Sequence, residues 1–127
     1  MEGWVRIHRK MLSWQWYDDM PTKCLFLHLL LISNYTQSEW HGITVERGQI
    51  VTSYKNLATQ TGLSVQQTRL ALNKLRSTGE ITIKTTNKFS IITICNYDSY
   101  QDENFTNNKQ NNKQRTNKQQ QLKNIII

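Results

Sequence analysis

A run of amide and cationic side chains between Ser64 and Ser77 has types and spacings that suit contacts with nucleic-acid bases. On a helix of about 100° per residue, one outward face carries Gln66, Leu70, Asn73 and Ser77, and its flanks carry Gln67, Arg69 and Lys74. Gln and Asn can pair with adenine through two hydrogen bonds, while Arg and Lys suit guanine or phosphate. Any one of these residues could equally be a solvated side chain on an amphipathic helix, so the elements around them decide the interpretation.

The segment from Ser53 to Gly79 predicts two short helices joined by a tight turn. Ser53 and Ser64 are good N-caps, because a hydroxyl accepts from free amides of the first turn. Gly62 suits the left-handed residue that ends the first helix, and Gly79 closes the second. The buried faces predicted at helical spacing are Leu57 and Ala58 on the first helix, and Thr68, Ala71, Leu72 and Leu75 on the second.

A two-stranded hairpin is predicted directly after these helices. Ile81 and Ile83 alternate with polar residues, the stretch 89–94 forms the returning strand, and residues 85–88 form the tip. The whole order is a helix-turn-helix followed by a β-hairpin wing, which predicts nucleic-acid binding. The predicted binding residues are Lys55, Ser64, Gln66, Gln67, Arg69, Asn73, Lys74, Lys84, Asn87 and Lys88.

Upstream, we expect an amphipathic helix over 4–14 with a stripe of Val5, His8, Met11 and Leu12. A second helix over 21–34 is apolar nearly all round and should lie at the centre of the fold. The stretches 43–45 and 49–51 flank Arg47-Gly48 and predict a strand–turn–strand. The fold class is therefore mainly α (α+β), a winged helix-turn-helix with a C-terminal β-hairpin wing.

Charge and composition divide the 127 residues into a winged-helix DNA-binding domain over 1–101 and an Asn/Gln/Lys-rich tail over 102–127. The tail composition predicts a disordered segment or a truncated linker, the chain then being a shortened version of a longer protein. The chain has a net charge of +7. Between Ser53 and Cys95 the sequence contains six basic residues and one acidic residue, Glu80. This excess of positive charge favours a polyanionic partner.

Other chemistry finds little support in the sequence. The three histidines and two cysteines lack metal-ligand spacing, no phosphate-binding Gly-x-x-x-x-Gly-Lys loop is present, and Asp18-Asp19 is typical of a solvated turn. We expect a non-enzyme without cofactor or metal. Cys24 and Cys95 are expected to be buried structural thiols of a cytoplasmic protein in a bacterial host, and the apolar run 24–33 is too short to span a membrane.

Aromatic residues are unusually frequent near the N-terminus. Stacking on unpaired bases is one interpretation, but packing in the core or in a self-association surface is favoured. The residues concerned are Trp4, Trp14, Trp16, Tyr17 and Trp40.

Three stretches resemble the N-terminal domain of phage replisome organisers, which are similar to the DnaD-type primosome proteins of low-GC bacteria. They are GWVRIHRKML near the start, RGQIVTSYKNLATQTGLS in the middle and ITICNYDSYQ after the wing, and the resemblance covers roughly residues 3–101. It implies a winged-helix domain that binds origin DNA or self-associates in a phage or prophage setting. The resemblance further implies that relatives carry a C-terminal domain that engages single-stranded DNA or helicase-loading proteins, a domain not expected in these 127 residues.

The sequence thus predicts a DNA-binding protein of replication initiation whose partners are double-stranded DNA, including origin DNA, and host replication or helicase-loading proteins. Two alternatives stay open. One is a homo-oligomerising scaffold of a primosome-type complex, suggested by Leu70 and the tryptophans. The other is a winged-helix transcriptional repressor.

Overall fold

An α+β fold of helices and small antiparallel sheets is seen in a computed structural model, which describes residues 3–95 and 97–101. The predicted tail therefore lies outside the described residues. In chain order the elements are a 3₁₀ helix (Arg9–Ser13), α1 (Met20–Ile32), β1 (Ser38–Trp40), β2 (Ile43–Val45), β3 (Gln49–Thr52), α2 (Tyr54–Thr61), α3 (Val65–Ser77), β4 (Ile81–Thr85), β5 (Ser90–Ile94) and α4 (Tyr97–Gln101).

The apolar helix predicted over 21–34 corresponds to α1, and its predicted place at the centre of the fold is confirmed. Its Leu25, Phe26 and Leu29 have no exposed surface, and they belong to one core with side chains of α2, α3 and the sheet. Asp19 begins the helix, because its carboxylate accepts from the Thr22 N–H at 3.2 Å. Burial of such side chains is the largest favourable contribution to folding, so α1 organises the elements around it.

The helix pair that follows β3 has the predicted caps and faces. Ser53 accepts from the Asn56 N–H, and Gly62 ends α2 in the left-handed region at φ +80°. Ser64 begins α3 with a reciprocal pair, its hydroxyl accepting from the Gln67 N–H while the Gln67 side chain accepts from the Ser64 N–H. The buried residues of α3 are the predicted Thr68, Ala71, Leu72 and Leu75.

A three-stranded antiparallel sheet of order β3-β5-β4 closes the core. Because residues paired across strands share a face, Ile81 with Ile94 and Ile83 with Ile92 point inward toward the helices. The opposite, outer face carries Val51, Ile91 and Lys84 in one row across the three strands. The predicted strand–turn–strand around Arg47-Gly48 is confirmed by β2, the turn and β3, although β2 pairs with β1 and β3 pairs with β5.

A small hairpin between α1 and β3 was not predicted. Strands β1 and β2 are joined by His41-Gly42, whose φ angles of 49° and 76° give a type I′ turn between the paired residues Trp40 and Ile43. Val45 is buried at the base of the hairpin, and the Asn34 side-chain amide donates to the Ser38 hydroxyl at 2.8 Å.

The prediction of a helix over residues 4–14 is wrong. Residues 4–8 have no regular secondary structure, and only Arg9–Ser13 turns as a 3₁₀ helix. The Gln101 side chain accepts from the Arg6 N–H at 2.8 Å and donates to the Arg6 carbonyl at 3.1 Å, so it occupies both groups that a helix would need. Of the predicted stripe only Met11 is buried.

Two smaller predictions also need correction. Cys24 is exposed and Cys95 is half-buried, so neither is the fully buried thiol expected from its apolar neighbours. Asp19 does not belong to a solvated turn, because it caps α1 and forms an ion pair with Lys74.

Candidate nucleic-acid interface

The outward face of α3 is open to solvent along its length. Gln66, Leu70, Asn73 and Ser77 are all exposed, and Leu70 keeps 48% of its surface. The opposite face is fixed by the buried side chains that pack on α1, so the rotation of the helix about its axis is set by the core. A straight helix of this length is about 20 Å long, enough to follow a major groove across several base pairs.

The amide side chains on α3 differ in how free they are. Gln66 has no hydrogen-bond partner among the described residues, so both ends of its amide are available. The Gln67 carbonyl accepts from the Ser64 N–H at 2.9 Å, and the Asn73 carbonyl accepts from the Arg76 guanidinium at 3.0 Å. Pairing with adenine takes both amide groups, so Gln66 alone is ready to make it without breaking a bond.

Exposed cations flank this face. The Arg69 guanidinium lies 5.8 Å from the centre of the Tyr54 ring, and Lys55 follows that tyrosine in α2. Arg76 extends the series toward the end of α3. The sequence-based set did not include Arg76, although its spacing of three residues from Asn73 on a helix would have indicated it.

Lys74 is not a free cation. Its ammonium lies 2.6 Å from an Asp19 carboxylate oxygen and 5.6 Å from the centre of the Trp16 ring. The hydrogen bond from Lys74 is the main cause that lowers the pKa of Asp19 below its usual value. The residue therefore joins α3 to the start of α1, and we remove it from the set of predicted binding residues.

The predicted wing residues divide into two groups. Asn87 and Lys88 form the exposed two-residue tip, closed by the Thr86 N–H donating to the Phe89 carbonyl at 2.8 Å. Lys84 lies on the outer face of the sheet opposite Ile91, and the inward-pointing isoleucines separate it from α3. Lys84 therefore lies on the sheet face away from α3, and Asn87 and Lys88 lie at the exposed end of the hairpin.

The one acid between Ser53 and Cys95 is absent from the surface. Glu80 has no exposed area, and its carboxylate accepts from the Trp14 indole N–H at 3.4 Å and from the Thr78 hydroxyl. The Trp16 indole N–H donates to the same Thr78 hydroxyl at 2.9 Å. Burial raises the pKa of Glu80, and its carboxyl group is not part of the exposed surface that carries the cations of α3.

The tryptophans have several different environments. Trp14 is buried against Phe26, with ring centres 5.2 Å apart, and Trp16 is half-buried, as the packing interpretation expected. Trp4 keeps 80% of its surface and Trp40 keeps 39%. Neither of these two belongs to the core.

In the described ranges, no group of three or more His, Cys, Asp or Glu side chains could hold a metal ion, and no helix has the length and apolar character needed to cross a membrane. No protein-family model matches the chain, and no curated protein or solved structure matches it either.

Proposed function

We propose that α2, α3 and the β4–β5 hairpin form a winged helix-turn-helix that binds double-stranded DNA, with α3 in the major groove and the hairpin tip against the backbone. The carrying observation is the exposed face of α3, which combines the free Gln66 amide with flanking arginines. The only acid of this segment is buried. Direct base contacts and phosphate contacts both need this combination of amide and cationic groups.

The binding residues in this proposal are a revised form of the predicted set. Gln66, Arg69 and Asn73 face the bases, with Arg76 holding Asn73. Lys55 and Lys88 contact phosphates, Ser64 and Gln67 fix the N-terminus of α3, and Asn87 shapes the tip.

Participation in replication initiation is the biological role that we propose for this activity, in a protein of phage or prophage origin. Its support is the resemblance of three sequence stretches to phage replisome organisers. A repressor with the same fold would bind DNA through the same face, so the identity of the bound site separates the two roles. Selection of bound fragments from the surrounding genome would favour initiation if they came from a replication origin, and repression if they came from promoters.

The binding face is tested with Arg69→Ala and Arg76→Ala combined in the full chain. Fluorescence anisotropy with a labelled duplex should show affinity weakened by about 10-fold or more, because the Arg69 contact and the support that Arg76 gives to Asn73 are both lost. Lys10→Ala is the matched control, since it removes a cation that lies outside α2, α3 and the hairpin. Equal affinities for the double variant and the wild type would contradict the proposal.

Self-association through α3 is a second candidate, favoured by the exposure of Leu70 and Val65 on this helix. Analytical ultracentrifugation of the wild type and of Leu70→Lys distinguishes the two functions. A dimer that dissociates in the variant, with no duplex binding by either protein, would support the scaffold. A monomer that binds duplex DNA would exclude it.

A further inference from the structure

An aromatic cluster lies on the outer face of the three-stranded sheet, away from α3. The Trp40 ring centre is 5.1 Å from that of Phe89 and 4.1 Å from that of His41. Phe89 precedes β5 and by strand alternation shares the outer face with Ile91 and Thr93. Trp40 therefore joins the tip of the β1–β2 hairpin to the hairpin that contains β4 and β5.

The β1–β2 hairpin orients Trp40 through its register. Trp40 pairs with Ile43 and Ser38 pairs with Val45, so these residues share the face that contains the buried Val45. Glu39 and Thr44 lie on the other face, where the Thr44 hydroxyl donates to the Glu39 carboxylate at 2.9 Å. The negative charge of Glu39 thus points away from the aromatic cluster, and Glu46 lies beyond the opposite end of β2.

A cationic side chain accompanies the cluster on the outer face of the sheet. Lys84 is paired with Ile91, which makes it a diagonal neighbour of Phe89 on the same face. Trp40 keeps 39% of its surface, so a planar group can reach it. Aromatic rings beside lysines are the combination with which proteins bind unpaired bases together with their phosphates.

We propose that this outer sheet face binds unpaired nucleotides of single-stranded DNA. A base stacks on the Trp40–Phe89 pair, and Lys84 neutralises an adjacent phosphate. The site is separate from α3, so it operates whether or not α3 binds duplex DNA. Where the proposed duplex binding holds, the molecule engages duplex and unpaired DNA at once, as at a melted segment.

The test uses the full chain and a labelled oligothymidylate of about 12 nucleotides, within the usual site size of small single-strand-binding folds. Anisotropy titrations compare the wild type with Trp40→Ala, Trp40→Phe and Lys84→Ala. Loss of one stacking partner should weaken binding by roughly 5- to 100-fold, whereas Trp40→Phe should retain most of it. Trp4→Ala is the matched control, because it removes a more exposed tryptophan from the N-terminal segment.

The outcomes separate this site from the duplex site. Support requires weaker oligothymidylate binding in Trp40→Ala and Lys84→Ala, with duplex affinity kept within about twofold. For Lys84→Ala, the single-strand salt dependence should also fall by about 0.7 in log–log slope. If Trp40→Ala loses its fold by circular dichroism, Trp40→Phe combined with Lys84→Glu takes its place and should lose binding.

Three results would overturn the proposal. The first is absence of oligothymidylate binding by the wild type. The second is unchanged binding in every Trp40 and Lys84 variant. The third is a wild-type dimer that Trp40→Ala dissociates without any single-strand binding, which would make the face a protein contact. None of these results depends on Arg69 or Arg76, so the duplex proposal succeeds or fails independently.

Discussion

At the residue scale, Glu80 shows how an acidic side chain can be kept out of the exposed surface beside α3. Its carboxyl group lies under the Trp14 and Trp16 indoles at the end of α3, and burial raises its pKa above the usual 4.5. A carboxyl group with a raised pKa binds protons more tightly in the folded than in the unfolded chain. Its contribution to the free energy of unfolding is therefore largest at low pH and is lost as pH rises through the folded-state pKa.

Replacing Glu80 with Gln should remove this pH dependence, because the amide keeps the shape without a titrating proton. We expect the stability of Glu80→Gln relative to wild type to rise between pH 4.5 and pH 7.5. Urea unfolding followed by circular dichroism at the two pH values measures the change. Parallel pH profiles for the two proteins would show that Glu80 is not perturbed by burial.

Lys74 gives a second prediction at this scale, since its ammonium is held by Asp19 and not directed to a groove. Lys74→Ala should weaken duplex binding much less than Arg69→Ala, while it destabilises the fold. The lowered pKa of Asp19 means that this stabilisation is present above its usual 3.8 and is lost as pH falls. Duplex titrations paired with thermal melts test both parts. A Lys74→Ala protein as stable as wild type but as weak in DNA binding as Arg69→Ala would contradict this assignment.

At the scale of elements, α4 is positioned by a close backbone approach. Gly48 has φ +83°, and a Cβ atom there would lie 2.8 Å from the Tyr97 Cβ atom. Beside it, the Arg47 guanidinium lies 3.3 Å from the Asp98 carboxylate and stacks near the Tyr35 and Tyr97 rings. The turn between β2 and β3 and the helix α4 therefore fit only when residue 48 has no side chain.

Gly48→Ala should lower the free energy of unfolding by about 2–4 kcal/mol, since backbone strain and the clash with Tyr97 add together. Gly62→Ala is the control, because Gly62 has a similar φ of +80° but no atom within 4 Å of the added Cβ. It should cost only about 1 kcal/mol. Chemical denaturation measures both values. Equal losses in the two variants would mean that Tyr97 does not oppose the added methyl group.

The elements also show what the sequence could and could not predict. Caps and apolar stripes are local, so Ser53, Gly62 and Ser64 indicated the ends of α2 and α3 correctly. Contacts between distant residues leave no local pattern: Lys74 meets Asp19 across 55 positions, and Gln101 pairs with Arg6 across 95. The β1–β2 hairpin could have been predicted from His41-Gly42, because this pair can adopt the two left-handed conformations of a type I′ turn.

At the scale of the whole molecule, the salt dependence of the proposed duplex binding would report how many cations contact phosphate. Each phosphate contact contributes about −0.9 to the slope of log affinity against log salt concentration. Lys55→Ala and Lys88→Ala together should therefore make the slope shallower by about 1.8, and Lys10→Ala should leave it unchanged. Titrations at four salt concentrations give the slopes. A double variant with the wild-type slope would remove both lysines from the interface.

The two hydrogen bonds between the Gln101 side chain and the Arg6 backbone hold the two ends of the described chain side by side. Because positions 6 and 101 are adjacent in space, a short Gly-Ser bridge could join them, and new termini could be opened in the exposed stretch at Thr36 and Gln37. A circular permutant of this kind would keep every strand pairing and leave α3 undisturbed. The fold that exposes the cationic helix α3 therefore does not depend on which residues form the two ends of the chain.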